Sequence, residues 1–326
     1  MRYRRLGKTG YKVSEVGFGA WAIGGDWGPV DDAESLAALN AAVDAGVTFF
    51  DTADVYGDGH SERLLAQLRR EREEELVIAT KCGRRAPLEV ASYTPESLLA
   101  WVDRSRENLD VDRLDLVQLH CPPTDVYYHP EVFAALDELV ARGSIAAYGV
   151  SVERVEEGLK AIEYDGLGSV QIIFNAFRQR PAEHFLARAA ERDVGVISRV
   201  PLASGLLSGK LTEQSAFAAD DHRAFNRNGA AFDVGETFAG VDYATGVAAA
   251  QQLAERVPDG ATLAQLALKW ILAHDEVSTV IPGARTPAQA RENAAASLMG
   301  DLDEDSLEAV RYVYDELIAP QVHHRW

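Results

Sequence analysis

Short apolar runs alternating with longer helical patterns constrain this chain more than any other feature. VTFF (47–50), LVIAT (76–80), LDLVQLH (114–120), IAAYGVS (145–151), SVQIIF (169–174), VGVISRV (194–200) and STVIPG (278–283) are too short for helices. They are rich in β-branched residues, which marks buried strands. EVGFGA (15–20) and DDAESLAALNAAVDAG (31–46) supply a first strand and helix. Two helix starts are explicit: Thr94 and Thr286 as N-caps, each followed by proline, with Glu96 in the first turn of the former. A strand-then-helix unit repeated about eight times predicts parallel strands joined by right-handed crossovers. In 326 residues that fits a closed (β/α)8 TIM barrel better than an open doubly wound sheet, with residues 1–326 as one domain. YRRLGKTGYKVSEVGFG (3–19) alternates about Gly10 and predicts an N-terminal β-hairpin closing the barrel bottom. Two segments stand outside the repeat: a long loop after strand 7 (211–241) and an extra C-terminal helix in EDSLEAVRYVYDELI.

Barrel chemistry sits at the C-terminal ends of strands. Those positions hold Asp51 after the second strand, Lys81 after the third and His120 after the fourth, with Tyr56 in the loop beyond Asp51. A phenol with a pKa of about 10 is a poor proton donor near neutrality. A nearby ammonium would favour the phenolate and lower that pKa, and a carboxylate paired with it would keep the ammonium charged and oriented. The imidazole can orient a substrate oxygen. Such a set suits protonation of a carbonyl oxygen while hydride arrives at its carbon. Any one of these residues alone reads as an ordinary rim residue; four at successive strand ends do not. A metal-dependent hydrolase built on His120 and Asp51 would need a second histidine at a strand end, and no strand end offers one.

FDTADVYGDGHSERLLA, IATKCG, LDLVQLHCPP, YGVSV, PLASGLLSGK and IPGARTPAQARENAA resemble, in order, the successive motifs of the aldo-keto reductase superfamily. The resemblance is to its bacterial and archaeal branches, related to potassium-channel β-subunit-like proteins. It implies a (β/α)8 barrel, Tyr56 as general acid/base tuned by Lys81 and Asp51, and His120 orienting the carbonyl. It also implies a nicotinamide across the barrel mouth, its carboxamide meeting Ser151 and Gln171. The loop 201–210 would cover the pyrophosphate through Pro201, Leu202, Ser204, Gly205, Leu207 and Lys210. The IPGAR turn, with Gly283, Arg285, Gln289, Glu292 and Asn293, would hold the adenosine end, a helix N-terminus with an adjacent arginine being a sound anion site. GFGAWAIGG lacks the strand-to-helix context of a Rossmann fingerprint.

Three positions depart from the pattern. Val152 stands where Asn often follows the serine of GVS, Arg199 and Val200 stand near the usual stacking aromatic, and Gly283 replaces a frequent lysine. Arg199 would stack through its planar guanidinium, and Arg285 partly restores positive charge for a 2′-phosphate. NADP(H) is therefore the favoured cofactor and NAD(H) the alternative. Among aromatics near the rim, Trp21, directly after the first strand, is placed in the cofactor and carbonyl pocket; Trp27, Tyr127 and Tyr128 are further candidates. Arg223 and Arg227 would clamp a cofactor phosphate or pair with neighbouring acids.

Composition narrows partners. Fifty-one acidic against 32 basic residues give a net charge of −19, which repels nucleic acid and anionic membranes and predicts a salt-adapted protein. No leader or spanning segment is evident and only two cysteines occur, so a cytoplasmic protein is expected, monomer or homo-oligomer, acting on a small carbonyl, alcohol or sugar. Cys82 and Cys121 should point away from the barrel axis toward the helices. The adjacent histidines of VHHRW read as solvated or packed rather than metal-binding. The rival reading is a regulatory module that senses redox state through bound nucleotide and turns over little.

Overall fold

The computed structural model describes residues 1–24 and 31–326. Two short strands, β1 (Tyr3–Arg5) and β2 (Lys12–Ser14), pair antiparallel as the expected hairpin. Eight parallel strands follow: β3 (Phe18–Gly19), β4 (Phe49–Asp51), β5 (Val77–Cys82), β6 (Leu114–His120), β7 (Ile145–Ser151), β8 (Leu167–Ile173), β9 (Gly195–Arg199) and β10 (Val277–Val280). They pair in sequence order, and the ring closes where the Gly17 N–H donates to the Val280 carbonyl (2.8 Å) and the Gly19 N–H to that of Pro282 (3.0 Å). The (β/α)8 barrel expectation holds.

Helices α1 (Asp32–Asp44), α2 (His60–Glu71), α3 (Pro95–Leu109), α4 (Pro130–Ala141), α5 (Val155–Ala161) and α6 (Pro181–Glu191) each follow a strand. Thr94 caps α3 by accepting the Ser97 N–H at 3.2 Å, with Pro95 opening the helix as the sequence predicts. After β9 the chain runs through short turns and α7 (His222–Phe225) to two helices, α8 (Tyr243–Ala254) and α9 (Leu263–Leu272), before β10. Within this stretch α8 packs on the extra C-terminal helix α11 (Glu304–Val313). The remaining helices are α10 (Pro287–Ala295) and α12 (Ala319–Val322).

Two apolar clusters show how strand alternation organises the barrel. Phe49, Val77, Ala79, Leu116, Ala147, Ile197 and Ile281 fill the interior, and Leu6 and Val13 of the hairpin plug its lower end. Their neighbours Phe50, Ile78, Val117, Tyr148 and Val196 face the helices in the second, larger cluster. Side chains alternate faces with a period of two. Counting two residues on from Phe49, Ala79, Leu116, Ala147 and Ile197 therefore reaches Asp51, Lys81, Gln118, Ser151 (by way of Gly149) and Arg199 on the inner face. Barrel packing and barrel chemistry share one register.

Candidate active site

The loop carrying Tyr56 is anchored at both ends. The Asp54 N–H donates to the Lys81 carbonyl (3.1 Å), so pairing with β5 continues past β4. The Thr52 hydroxyl donates to Ser61 (2.8 Å), which donates to the Ala20 carbonyl (2.9 Å). Gly57 needs its lack of a side chain: its φ is 59°, and a Cβ would lie 2.1 Å from the Gly24 carbonyl oxygen. Asp58 is held by Arg85 and, at 2.7 Å, by Arg104.

Within this frame Lys81 Nζ donates to Asp51 Oδ2 (2.5 Å) and to the Thr52 carbonyl (2.9 Å), and lies 3.5 Å from the Tyr56 hydroxyl. The His120 ring meets the Tyr56 ring edge-on at 5.9 Å, and Trp21 stacks on Tyr56 at 6.0 Å. Three strand ends and one loop thus converge as the sequence suggests. The electrostatics differ from expectation at one point. The Tyr56 phenol is pushed well above its ordinary range, by burial first and then by the Asp51 and Glu236 carboxylates. The direction is opposite to the one expected from the Lys81 ammonium, because desolvation favours the neutral phenol. Burial likewise lowers the Lys81 ammonium, against the opposing pull of Asp51. Burial, then Arg84, Lys81 and Arg199, hold His120 well below the usual imidazole range, so it is neutral.

These groups floor a cavity of about 410 Å³ that runs from Asp51, Tyr56 and His120 to the N-terminal turn of α10. Trp21, Ser151, Gln171, Arg199, Pro201, Leu202, Ser204, Gly205, Lys210, Gly283, Arg285, Gln289, Glu292 and Asn293 all line it. Leu207 does not: it is fully buried and packs in the core beneath the loop. At the far end the Arg285 N–H donates to Gln289 Oε1 (2.8 Å), and Asn293 Nδ2 donates to the Gly283 carbonyl (3.2 Å).

Several further expectations meet a different arrangement. Cys82 packs on the helix side as anticipated. Cys121 does not, because its backbone is left-handed (φ 49°) and strand alternation ends at His120; its Sγ lies 3.6 Å from both Ser151 Oγ and Arg199 Nη2. Burial pushes that thiol up to about 12. Tyr127 is buried below the rim and Tyr128 points outward, 63% exposed, so neither lines the cavity. Trp27 lies outside the described residues. Arg223 lines the cavity and pairs with Asp221 (2.6 Å), whereas Arg227 packs over the rings of Phe217, Phe238 and Tyr243. His323 is packed between Tyr314 (2.8 Å) and Glu183 (2.9 Å), and His324 is exposed.

A buried ionic cluster beside the tetrad is invisible in the sequence. Glu236, from the segment after β9, lines the cavity and is gripped by Arg84 and, at 3.6 Å, by Arg199; Arg199 also donates to Glu153 at 2.9 Å. Burial opposes ionisation of Glu236, but the two guanidinium groups outweigh it and keep the carboxylate charged. Glu153 is pushed up by its own burial, with Arg199 opposing and the Glu236 charge adding. Cys121, Glu153 and Glu236 bring potential metal-ligand atoms within 4.8 Å of one another, yet the two arginines already neutralise that charge.

Asp54, beneath the Tyr56 loop, is fully buried, and burial followed by the Glu62 charge pushes its carboxyl up to about 7. Between the ordinary value of 3.8 and about 7 the folded chain keeps a proton the unfolded chain has released, so stability falls as pH rises through that window. Asp54→Asn should match the parent at pH 4 and exceed it at pH 8 by about 1–3 kcal/mol in urea denaturation. A gap that does not change with pH would contradict the assignment.

A profile of the aldo/keto reductase family matches residues 15–315. The chain belongs to the aldo/keto reductase family. Membership makes it an NAD(P)-dependent oxidoreductase and agrees with the resemblance read from its motifs. It is similar to a probable voltage-gated potassium channel subunit beta of Arabidopsis thaliana, 30% identical over 313 residues and covering 91% of each chain. It is also similar to the aldo-keto reductase YhdN of Bacillus subtilis, 30% identical over 297 residues, covering 89% of this chain and 86% of the relative. Among solved structures, the holo form of aldo-keto reductase AKR11C1 from Bacillus halodurans superposes with a TM-score of 0.76, at 25% identity and 96% coverage of both chains. Among the described residues no helix is long and apolar enough to cross a membrane.

Proposed function

We propose that residues 1–326 act as one catalytic unit that reduces an aldehyde or ketone with NADPH, or runs the reverse oxidation of an alcohol or sugar, with Tyr56 as the proton donor. The observation carrying this reading is the Tyr56–Lys81–Asp51 series, 3.5 Å and 2.5 Å apart, on the floor of a cavity large enough to seat part of a dinucleotide. The cavity's donor set fits the cofactor: hydroxyl and amide groups (Ser151, Gln171) at one end, and cationic side chains with a helix N-terminus (Lys210, Arg285, α10) at the other. When bound, the reduced nicotinamide supplies hydride at C4. Neutral His120 orients the carbonyl oxygen, Tyr56 gives that oxygen its proton, and Lys81, kept charged by Asp51, stabilises the phenolate left behind. The high proton affinity of Tyr56 ensures that the acid is loaded at neutral pH. Lys210, Arg223 and Arg285 along the cavity favour NADP(H), with NAD(H) the alternative.

The net charge of −19 supports an acidic, salt-adapted protein with no nucleic-acid or anionic-membrane partner; we take it as cytoplasmic, monomer or homo-oligomer. The test is oxidation of NADPH and of NADH with a panel of aldehydes, ketones and sugars at low and molar salt. Turnover faster with NADPH and with higher salt is the expected result. The similarity to a probable channel β-subunit supports a second reading, a nucleotide-binding redox sensor. Tight nucleotide binding without turnover on any substrate would favour that sensor and count against the reductase.

A further inference from the structure

The floor of the cavity holds an amide, Gln118, that neither touches the cavity nor belongs to the tetrad, yet is fully buried against it. Asp51 divides its two oxygens. Oδ2 receives Lys81 at 2.5 Å, while Oδ1 receives Gln171 Nε2 at 2.7 Å and Gln118 Nε2 at 3.2 Å. A carboxylate only accepts hydrogen bonds, so both glutamines must turn their amino ends toward it. The carbonyl end of Gln171 is thereby left to Ser151, whose hydroxyl donates to Oε1 at 3.4 Å, and both residues line the cavity. Gln171 Nε2 also reaches Gln118 Oε1 at 3.5 Å, so Gln118 braces the amide from a second direction. Turning Gln171 over would set its carbonyl oxygen against a buried carboxylate, which is a costly arrangement.

We propose that Gln118 is a positioning residue that, with Asp51, fixes the Gln171 side chain with its carbonyl oxygen toward the cavity, so that this end of the site selects a ligand carrying a carboxamide N–H. The inference rests on the reading that the nicotinamide carboxamide lies at Ser151 and Gln171, and it makes Asp51 shared between that subsite and the proton-donating series. Cofactor recognition and proton donation then meet at one carboxylate.

The experiment compares dissociation constants, by tryptophan fluorescence quenching, for NADP⁺ and for its 3-acetylpyridine analogue, which keeps a carbonyl but lacks the N–H. Wild type should prefer NADP⁺ by about tenfold, as expected for one hydrogen bond to a well-placed buried acceptor. Gln118→Met, close in volume, should cut that preference to about threefold, because the brace at 3.5 Å is lost and Asp51 alone then holds the Gln171 amino group. Gln118→Glu supplies a second handle. Its carboxyl oxygen accepts from Gln171 Nε2 in either protonation state as Gln118 Oε1 does, so the preference should be restored at both pH 5.5 and pH 8.5. A residue that matters only for packing would lower the melting temperature without moving the ratio. A wild-type preference that persists in Gln118→Met, or one that is lost in Gln118→Glu as fully as in Gln118→Met, would overturn the inference alone. Equal binding of both ligands by wild type would overturn the carboxamide reading and the inference with it.

Discussion

Tyr56→Phe is expected to lower kcat for carbonyl reduction by on the order of 10³-fold or more, the loss typical when a general acid is removed. It should leave the dissociation constant for NADPH within about twofold, since the substitution removes one hydroxyl group. The ring remains to stack on Trp21 at 6.0 Å and to meet His120 edge-on. Single-turnover reduction with bound cofactor, alongside fluorescence titration, separates the two effects. Retained turnover in the variant would remove Tyr56 from the chemistry and with it the series through Lys81 to Asp51.

The second large effect is on both stability and rate. Lys81 and Asp51 are almost wholly buried, 1% and 3% exposed, and 2.5 Å apart. A buried pair of this kind contributes little relative to an apolar pair, but losing one partner strands the other charge. Lys81→Met should therefore destabilise the fold by about 3–5 kcal/mol and abolish measurable turnover, because the phenolate of Tyr56 would face Asp51 with no cation between them. The double variant Lys81→Met/Asp51→Asn should recover a large part of the stability and none of the activity. Denaturation of the four proteins in urea measures the coupling directly. A single variant as stable as the parent would mean that the pair is not buried as described.

How much of this could be read from the sequence follows from where each residue gets its orientation. The C-terminal ends of the strands make Asp51, Lys81 and His120 legible, whereas Ser151 and Gln171 come from the family resemblance and lie on the same inner face. The same parity points to Gln118, two residues before His120. Orientation fails to carry past a strand end: Cys121 turns inward because its φ is 49°, and nothing in LHCPP announces that. Glu236 was out of reach for another reason. Its partners Arg84 and Arg199 come from the segment after β5 and the end of β9, and no periodicity links three such pieces of chain. Leu207 matched a family motif but fell on the packed side of its loop. The raised proton affinity of Tyr56 comes first from burial and then from Asp51 and Glu236, surroundings that no single pair of residues in the sequence reveals.

The proposed function requires hydride transfer in the cavity above Tyr56. The most direct test is to mix the protein with NADPH dideuterated at C4 and a panel of aldehydes and ketones, and to read the alcohol products by mass spectrometry. Deuterium on the former carbonyl carbon, with a slowed rate relative to unlabelled NADPH and no product from Tyr56→Phe, is the predicted result. Alcohol formed without deuterium, or deuterated alcohol formed equally well by Tyr56→Phe, would contradict it.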